Sequence, residues 1–383
     1  MAWSVEKRIM DRLVEAERDQ RFLVPASEAD RAACHRRVGY GVSMTDRGVF
    51  ARTAYWNRLG TRSRVLHGLR ALSLHHPDWV FCGRSAAVVY GLALSAERIE
   101  HMYAGGGAVA PHLWSEHRPR TVFSEEDASE APHDVDGVIV SGLYRTALDT
   151  MLGLPFSEAV ALVDSLLRLY SVNRESFARY VEERGACRRG VNRVRQALAY
   201  ADPLSRSGDE SRLRATIIEL GFEAPELQAP VYDPIDPRRR IQADYLWQLP
   251  DGTAIIAVLD GFGAGCTGDA WAVTANAMRE PRQAGAGAEL YVPSAAAHAD
   301  GLGSGCQLRR ADMTPMQGQP RNPSWRVLRI AHDLIYDRAA LEMLLNRYGV
   351  PKRPVRGGNV QALPALGVRL PRHAAHVMLA RPA

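Results

Sequence analysis

Three carboxylates in this chain have types and placement that could support chemistry. Glu210 sits in "SRSGDESRLRATIIELGFE", and Asp244 and Asp260 sit in "IQADYLWQLPDGTAIIAVLDGFGAG". Acids that converge on a hard cation such as Mg²⁺ generate hydroxide and neutralise the charge that develops on a phosphodiester, which is metal-dependent nuclease chemistry. Asp244 and Asp260 are the candidate metal ligands, with Glu210 as the third catalytic acid. Each also has a plainer reading. Ser207 and Glu210 have the spacing of a capping box, and the two aspartates could be polar positions on the wet face of a hairpin. A second set, Arg31, Arg36, Arg37 and Arg47 with His35 among them, is the candidate DNA contact, since guanidinium groups fit phosphate oxygens.

The elements that must position the acids can be read from turn chemistry and periodicity. Glu210, Leu213 and Ile217 share one helical face, so the acid lies on the apolar side of its helix. Pro250-Asp251-Gly252 predicts a three-residue hairpin loop with Gly252 in the left-handed position. Leu249 then faces Thr253, Asp244 faces Val258, and Gln242 faces Asp260. Alternate residues share a side, so Asp244, Val258 and Asp260 project from one face, where Glu210 could approach. Val258 occupies the position directly across from Asp244, and Asp260 lies one same-face step further, a diagonal of roughly 7 Å between backbones, which leaves the site incomplete.

Around the arginines, residues 4–20 predict a helix, and "PASEADRAACHRRVGYG" predicts a second one with Ser27 as N-cap. "SMTDRGVFAR" alternates about an Asp-Arg-Gly turn as a hairpin would, which permits a winged helix-turn-helix with Arg47 on the wing. A solvated basic helix face is the commoner use of such residues. Further on, "HPDWVFCGRSAAVVYGL" predicts a short strand into a helix with Ser85 as the cap. Ala87 stands where a nucleophile elbow needs its second glycine. Gly105-Gly106-Gly107 lacks the Gly-Lys-Ser/Thr ending of a phosphate loop. Arg145 and Asp149 are four apart on one helix face, and Phe156, Ala159, Val160, Val163, Leu166 and Leu167 form a buried stripe on the next helix. A third helix, "GVNRVRQALAY", ends before Asp202-Pro203. The Gly/Ala/Pro-rich run at 281–323 predicts an insertion, and 351–383 predicts a disordered tail.

With these motifs in place, the chain resembles a known group. "DESRLRATIIELGFEAPELQAPVYDP", "IQADYLW", "AIIAVLDG" and "WRVLRI" are similar, in order, to the restriction-endonuclease-like domain of the very-short-patch-repair type found at the C-terminus of many actinobacterial proteins. "RGVFAR", "WVFCGRSAAVVYGL" and "VSGLYRTALDTMLGLPFSEAVALVDSLLR" have counterparts in the region preceding it, which looks like the AbiEi-type antitoxins of abortive-infection systems. The resemblance covers roughly 35–280 and 324–345. It implies that Glu210 matches the helix acid and Asp244 the strand acid. The second strand usually reads Glu-x-Asp-Gly with a histidine three residues after the glycine. Here Val258 and Ala264 stand at two of those positions, so the resemblance implies a degenerate site.

Composition sets the remaining bounds. The chain has 383 residues, a net charge of +5 and two lysines, Lys7 and Lys352, so its basic side is almost all arginine. That suits nucleic acid, and a GC-rich coding bias produces the same excess. Five scattered cysteines without a C-x-x-C pair signal neither a disulfide framework nor a zinc knuckle. No apolar run reaches a membrane span, and the charged N-terminus is unlike a signal peptide, so a cytoplasmic location without membrane contact is expected. The expected fold is multi-domain α/β: a helical or winged-helix part at 1–75, an antitoxin-like α/β and helical part at 76–202, and a restriction-endonuclease-like α/β domain at 203–350. The expected function is a DNA-binding antitoxin or regulator with a pseudo-nuclease domain and no cofactor. An active Mg²⁺-dependent endonuclease and a scaffold for a protein partner are the alternatives.

Overall fold

A computed structural model describes residues 2–46, 48–77, 79–99, 104–105, 120–121, 130–232, 240–260 and 325–353. Arg47, Ala264, the segment at 281–323 and the tail beyond Arg353 lie outside the described residues. The protein is mixed α/β, with three sheets among the described residues, and divides into two compact units at Ala215/Thr216. The first unit takes in both expected N-terminal parts, 1–75 and 76–202, together with the first half of a helix that crosses the boundary.

The chain opens with α1 (Ala2–Arg18), whose Ile9, Leu13 and Ala16 recur at helical spacing and are buried against Leu23, Cys34, Val42 and Phe50. α2 (Glu28–His35) begins at Ser27, whose hydroxyl accepts the Asp30 N–H as expected. Asp30 then holds α2 to α1, accepting from Arg8 at 2.6 Å and Arg12 at 2.7 Å. The Arg8 hydrogen bond lowers its pKa below the ordinary carboxylate value. β1 (Val42–Asp46) and β2 (Val49–Arg52) form the expected hairpin, and Leu23 adds an isolated bridge to Phe50. Arg52 closes this part by a forked ion pair with Glu17. α3 (Thr53–Trp56) and α4 (Thr61–His75) follow, joined through a hydrogen bond of 2.8 Å between the Tyr55 hydroxyl and His67.

A five-stranded sheet with order β5-β4-β3-β7-β6 comes next: β3 (Val80–Phe81), β4 (Ala104–Gly105), β5 (Arg120–Thr121), β6 (His133–Val135) and β7 (Val138–Val140). After β3 the chain enters α5 (Gly83–Val89), and the N-cap is Cys82 rather than Ser85. Ser85 is a buried residue inside the helix, because the turn closes at Gly83, which takes the left-handed conformation. The short α6 (Ala96–Ile99) follows. α7 (Leu143–Leu152) carries the expected Arg145–Asp149 pair, and Arg188 adds a second contact to Asp149 at 2.5 Å. The stripe of α8 (Phe156–Tyr170) is buried along its length. α9 (Arg174–Gly185) is a helix beyond those expected; Asn173 caps it by accepting the Ser176 N–H. α10 (Val191–Ala199) follows, and α11 (Gly208–Glu219) crosses the unit boundary.

The second unit is built on a four-stranded sheet with order β11-β10-β9-β8: β8 (Glu226–Tyr232), β9 (Arg240–Gln248), β10 (Ala254–Asp260) and β11 (Trp325–Ala331). The β8–β9 and β9–β10 pairs are antiparallel, while β10 and β11 are parallel. β9 is buried on both faces from Ala243 to Trp247. α12 (Arg338–Tyr348) is capped by Asp337 and ends at Gly349 in the left-handed conformation, burying Leu341 and Leu345. The first residues of the expected tail are ordered, with Lys352 bridged to Phe222 and the Arg353 N–H donating to the Gly221 carbonyl.

Candidate functional site

The hairpin that carries the acids follows its turn chemistry. Gly252 is left-handed, the Leu249 N–H donates to the Thr253 carbonyl at 2.8 Å, and Gln248 pairs with Ala254. The ladder runs to Tyr245↔Ala257, and the next step of the same register sets Asp244 beside Val258. Asp244 is 5 % exposed. Val258 is partly buried and packs against the cluster of Ala229, Val231, Ala243, Leu246 and Ile256. An apolar side chain that packs into a strand cluster adds no charge to hold a cation. The backbone of Asp260 pairs with Ala331, and its side chain lies outside the described residues.

Glu210 uses its carboxylate locally. Its own N–H donates to the Ser207 hydroxyl at 3.1 Å, and its side chain accepts the Arg206 N–H at 2.7 Å and the Arg206 guanidinium at 3.3 Å. This is a capping box displaced by one residue, since the glutamate reaches the amide just before the cap rather than that of the cap itself. Glu210 belongs to the first unit, and Asp244 and Asp260 belong to the second. Among the described residues, no group of three or more His, Cys, Asp or Glu is placed to hold a metal ion.

One residue at this place escapes sequence reasoning. Between the pairs Leu227↔Tyr245 and Ala229↔Ala243, the register puts Gln228 opposite Asp244. Gln228 has φ of 51°, is 8 % exposed, and neither its amide oxygen nor its amide nitrogen has a hydrogen-bond partner among the described residues. Its backbone carbonyl accepts from the Gln242 side chain at 3.1 Å. Nothing in "ELQAPVY" signals a left-handed residue, because glutamine carries no preference for that region. Gln228→Gly is expected to stabilise the protein by about 1 kcal/mol. It relieves a left-handed strain of about 1–2 kcal/mol and removes an unpaired buried amide costing about 1–3 kcal/mol. Lost packing and the glycine backbone entropy of about 0.5–1 kcal/mol oppose this gain. A lower urea midpoint for the variant would show that the amide is paired in solution.

The arginine set is arranged differently. α2 buries Asp30, Ala33 and Cys34 and leaves Arg31, His35 and Arg36 exposed, with the His35 ring edge-on to Phe50 at 5.1 Å. Arg31 and Arg36 form no ion pair among the described residues. Arg37 departs from the expectation of a free basic face, because its guanidinium pairs with Glu6 of α1. Past the helix the chain makes further turns, with the Val38 N–H on the His35 carbonyl and the Tyr40 N–H on the Arg37 carbonyl, before entering β1. The arrangement is a helix packed on α1, a basic helix end and a hairpin.

No family model matches the chain, and no solved structure matches it at a significant level. It is 28 % identical over 154 residues to an uncharacterized protein of Mycobacterium tuberculosis, found alike in strain CDC 1551 / Oshkosh and strain ATCC 25618 / H37Rv. The match covers 40 % of this chain and 54 % of each relative, so the chain spans about half the length of the curated relatives it matches.

Proposed function

We propose that this chain is a cytoplasmic nucleic-acid-binding protein, antitoxin-like or regulator-like, whose second unit keeps a restriction-endonuclease-like fold without a working nuclease site. In this reading residues 1–75 act as a winged-helix part, 76–202 as an antitoxin-like part and 203–350 as the nuclease-like part, and no Mg²⁺ is required. The observation that carries it is the pair Arg31 on α2 and Arg36 at its C-cap, both exposed and without an ion pair among the described residues. Several other arginines of the first unit are bound to acids, among them Arg52 to Glu17, Arg212 to Glu158 and Arg214 to Asp164. Two guanidinium groups left in solvent have hydration to exchange for phosphate contact and no intramolecular bond to break. The Val258 contact beside buried Asp244 supports the absence of cleavage.

The test is binding of a short fluorescent duplex, followed by anisotropy across a salt series. Binding should weaken steeply with salt, and Arg31→Ala and Arg36→Ala should each lower the log–log slope by about 0.9, the contribution of one phosphate. The same oligonucleotides should remain uncut in Mg²⁺. Salt-insensitive binding would argue for a protein partner, and cleavage abolished by Asp244→Ala would overturn the pseudo-nuclease reading.

A further inference from the structure

We infer that Tyr40 is a stacking platform for an unpaired base, so that the basic turn after α2 binds single-stranded nucleic acid in preference to uninterrupted duplex. The inference rests on the nucleic-acid reading above and specifies its substrate class. Tyr40 is 83 % exposed, the most exposed of the large hydrophobic side chains among the described residues, and its ring and hydroxyl have no partner there. Burying an aromatic ring is worth more than almost any other side-chain burial, so a ring left outside a well-packed module calls for a reason. Isolated exposed apolar residues are ordinary, and position is what distinguishes this one.

The turn that carries Tyr40 is built to present it. Gly39 and Gly41 flank it at φ of 87° and 85°, with open space where either Cβ would be. Two left-handed residues on either side of one residue turn its side chain away from the body of the unit, a conformation that glycine adopts without strain. The turn is also held in place. The Gly39 N–H donates to the Val42 carbonyl at 3.1 Å, the Tyr40 N–H to the Arg37 carbonyl at 2.8 Å and the Thr53 N–H to the Gly41 carbonyl at 3.0 Å. Arg37 ties the segment to α1 through Glu6. A ring on a fixed base loses little freedom when it stacks, which is the advantage of a preorganised platform.

Charge selects the occupant. Arg36 is four residues from Tyr40, within about 14 Å along the chain, and Arg31 lies five residues earlier, also exposed, on α2. Neither forms an ion pair among the described residues, so a phosphate backbone satisfies them while an adjacent base meets the ring. Base–aromatic stacking of this kind tolerates any sequence, because every base has a π-face. In an intact duplex those faces are covered by neighbouring pairs and only the edges are open. Stacking on Tyr40 therefore needs a base that is already unpaired.

The test compares a single-stranded oligonucleotide, its full duplex, and the same duplex with one bulged base, using the complete chain and fluorescence anisotropy. The single strand and the bulged duplex should bind more tightly than the full duplex. Tyr40→Ala should weaken binding to both by about tenfold with the salt slope unchanged, since stacking carries no counterion release. Tyr40→Phe should restore it, because the ring rather than the hydroxyl makes the contact. The double variant Arg31→Ala/Arg36→Ala should lower both affinity and slope. If Tyr40→Ala matches the parent on all three probes while the arginine variant still weakens binding, the stacking inference is overturned and the nucleic-acid reading stands. If the parent chain binds none of the probes, both are overturned. An unaltered melting temperature for Tyr40→Ala confirms that any loss comes from the missing ring.

Discussion

Asp164→Ala should destabilise the first unit by about 3–5 kcal/mol, the cost of breaking a buried ion pair from one side. Asp164 is 0 % exposed, and its carboxylate accepts from Arg214 at 2.7 Å and from the Asp202 N–H at 2.7 Å. Burial pushes the pKa of this carboxyl up, and Arg214, the Asp202 amide and the Ser211 hydroxyl oppose that push by favouring its charged form. Removing the carboxylate leaves the Arg214 guanidinium buried against a neutral acceptor, the Tyr200 carbonyl at 2.7 Å, and its Nε already has no partner among the described residues. The cost arises because a buried charge without its counter-charge cannot recover its lost hydration. It follows that Asp164→Leu/Arg214→Met, which removes both charges and keeps apolar volume, should lie much closer to the parent than the single variant does. Urea unfolding of the three proteins checks this. If the single and double variants have equal midpoints, the pair is not what holds α8 to α11.

How far these features are legible in the sequence depends on the range of the interaction. The Pro250-Asp251-Gly252 turn is legible because a left-handed glycine at one loop position sets the register of everything beyond it, and Gln248↔Ala254 through Tyr245↔Ala257 keep that register. Ser27 and the α8 stripe are legible for the same reason, being local capping and periodicity. Asp136-Gly137 carries an equally good signal, one that the expected elements leave out. Both residues have positive φ and join β6 to β7, as an Asp-Gly hairpin turn does. The Asp164–Arg214 pair is beyond reach, because its partners are fifty residues apart and periodicity reports only neighbours at three or four. Glu210 fits its capping role, and its further bond to the Arg206 side chain is something that the spacing alone does not show. Gln228 marks a further limit: its strain is imposed by the sheet around it and by nothing in its own residue type.

Gly190→Ala should be at least as damaging to the fold as most core truncations, costing about 2–5 kcal/mol from two separate effects. The first is conformational. Gly190 is the N-cap of α10 with φ of 97°, a region that costs a residue with a side chain about 1–2 kcal/mol. The second is steric. A Cβ placed there would collide with the carbonyl oxygen of Leu152, the last residue of α7. That carbonyl cannot easily yield, because the chain beyond it is fixed by the Leu154 N–H on the Met151 carbonyl and by the Arg193 guanidinium on the Leu154 carbonyl. Gly190 is fixed too, since its own carbonyl accepts the Arg193 and Val194 N–H groups that start α10. Separating the two backbones would open the packing between α7 and α10, a cost of about 1–3 kcal/mol as in other overpacked sites. Gly137 provides the control. It has φ of 75° with nothing within 4 Å of the place a methyl group would take, so Gly137→Ala should incur the conformational part alone. Thermal unfolding of the two variants separates the contributions. Equal losses would mean that α7 and α10 move apart freely, whereas a clearly larger loss at Gly190 places a backbone-to-backbone contact at the centre of the first unit's helical core.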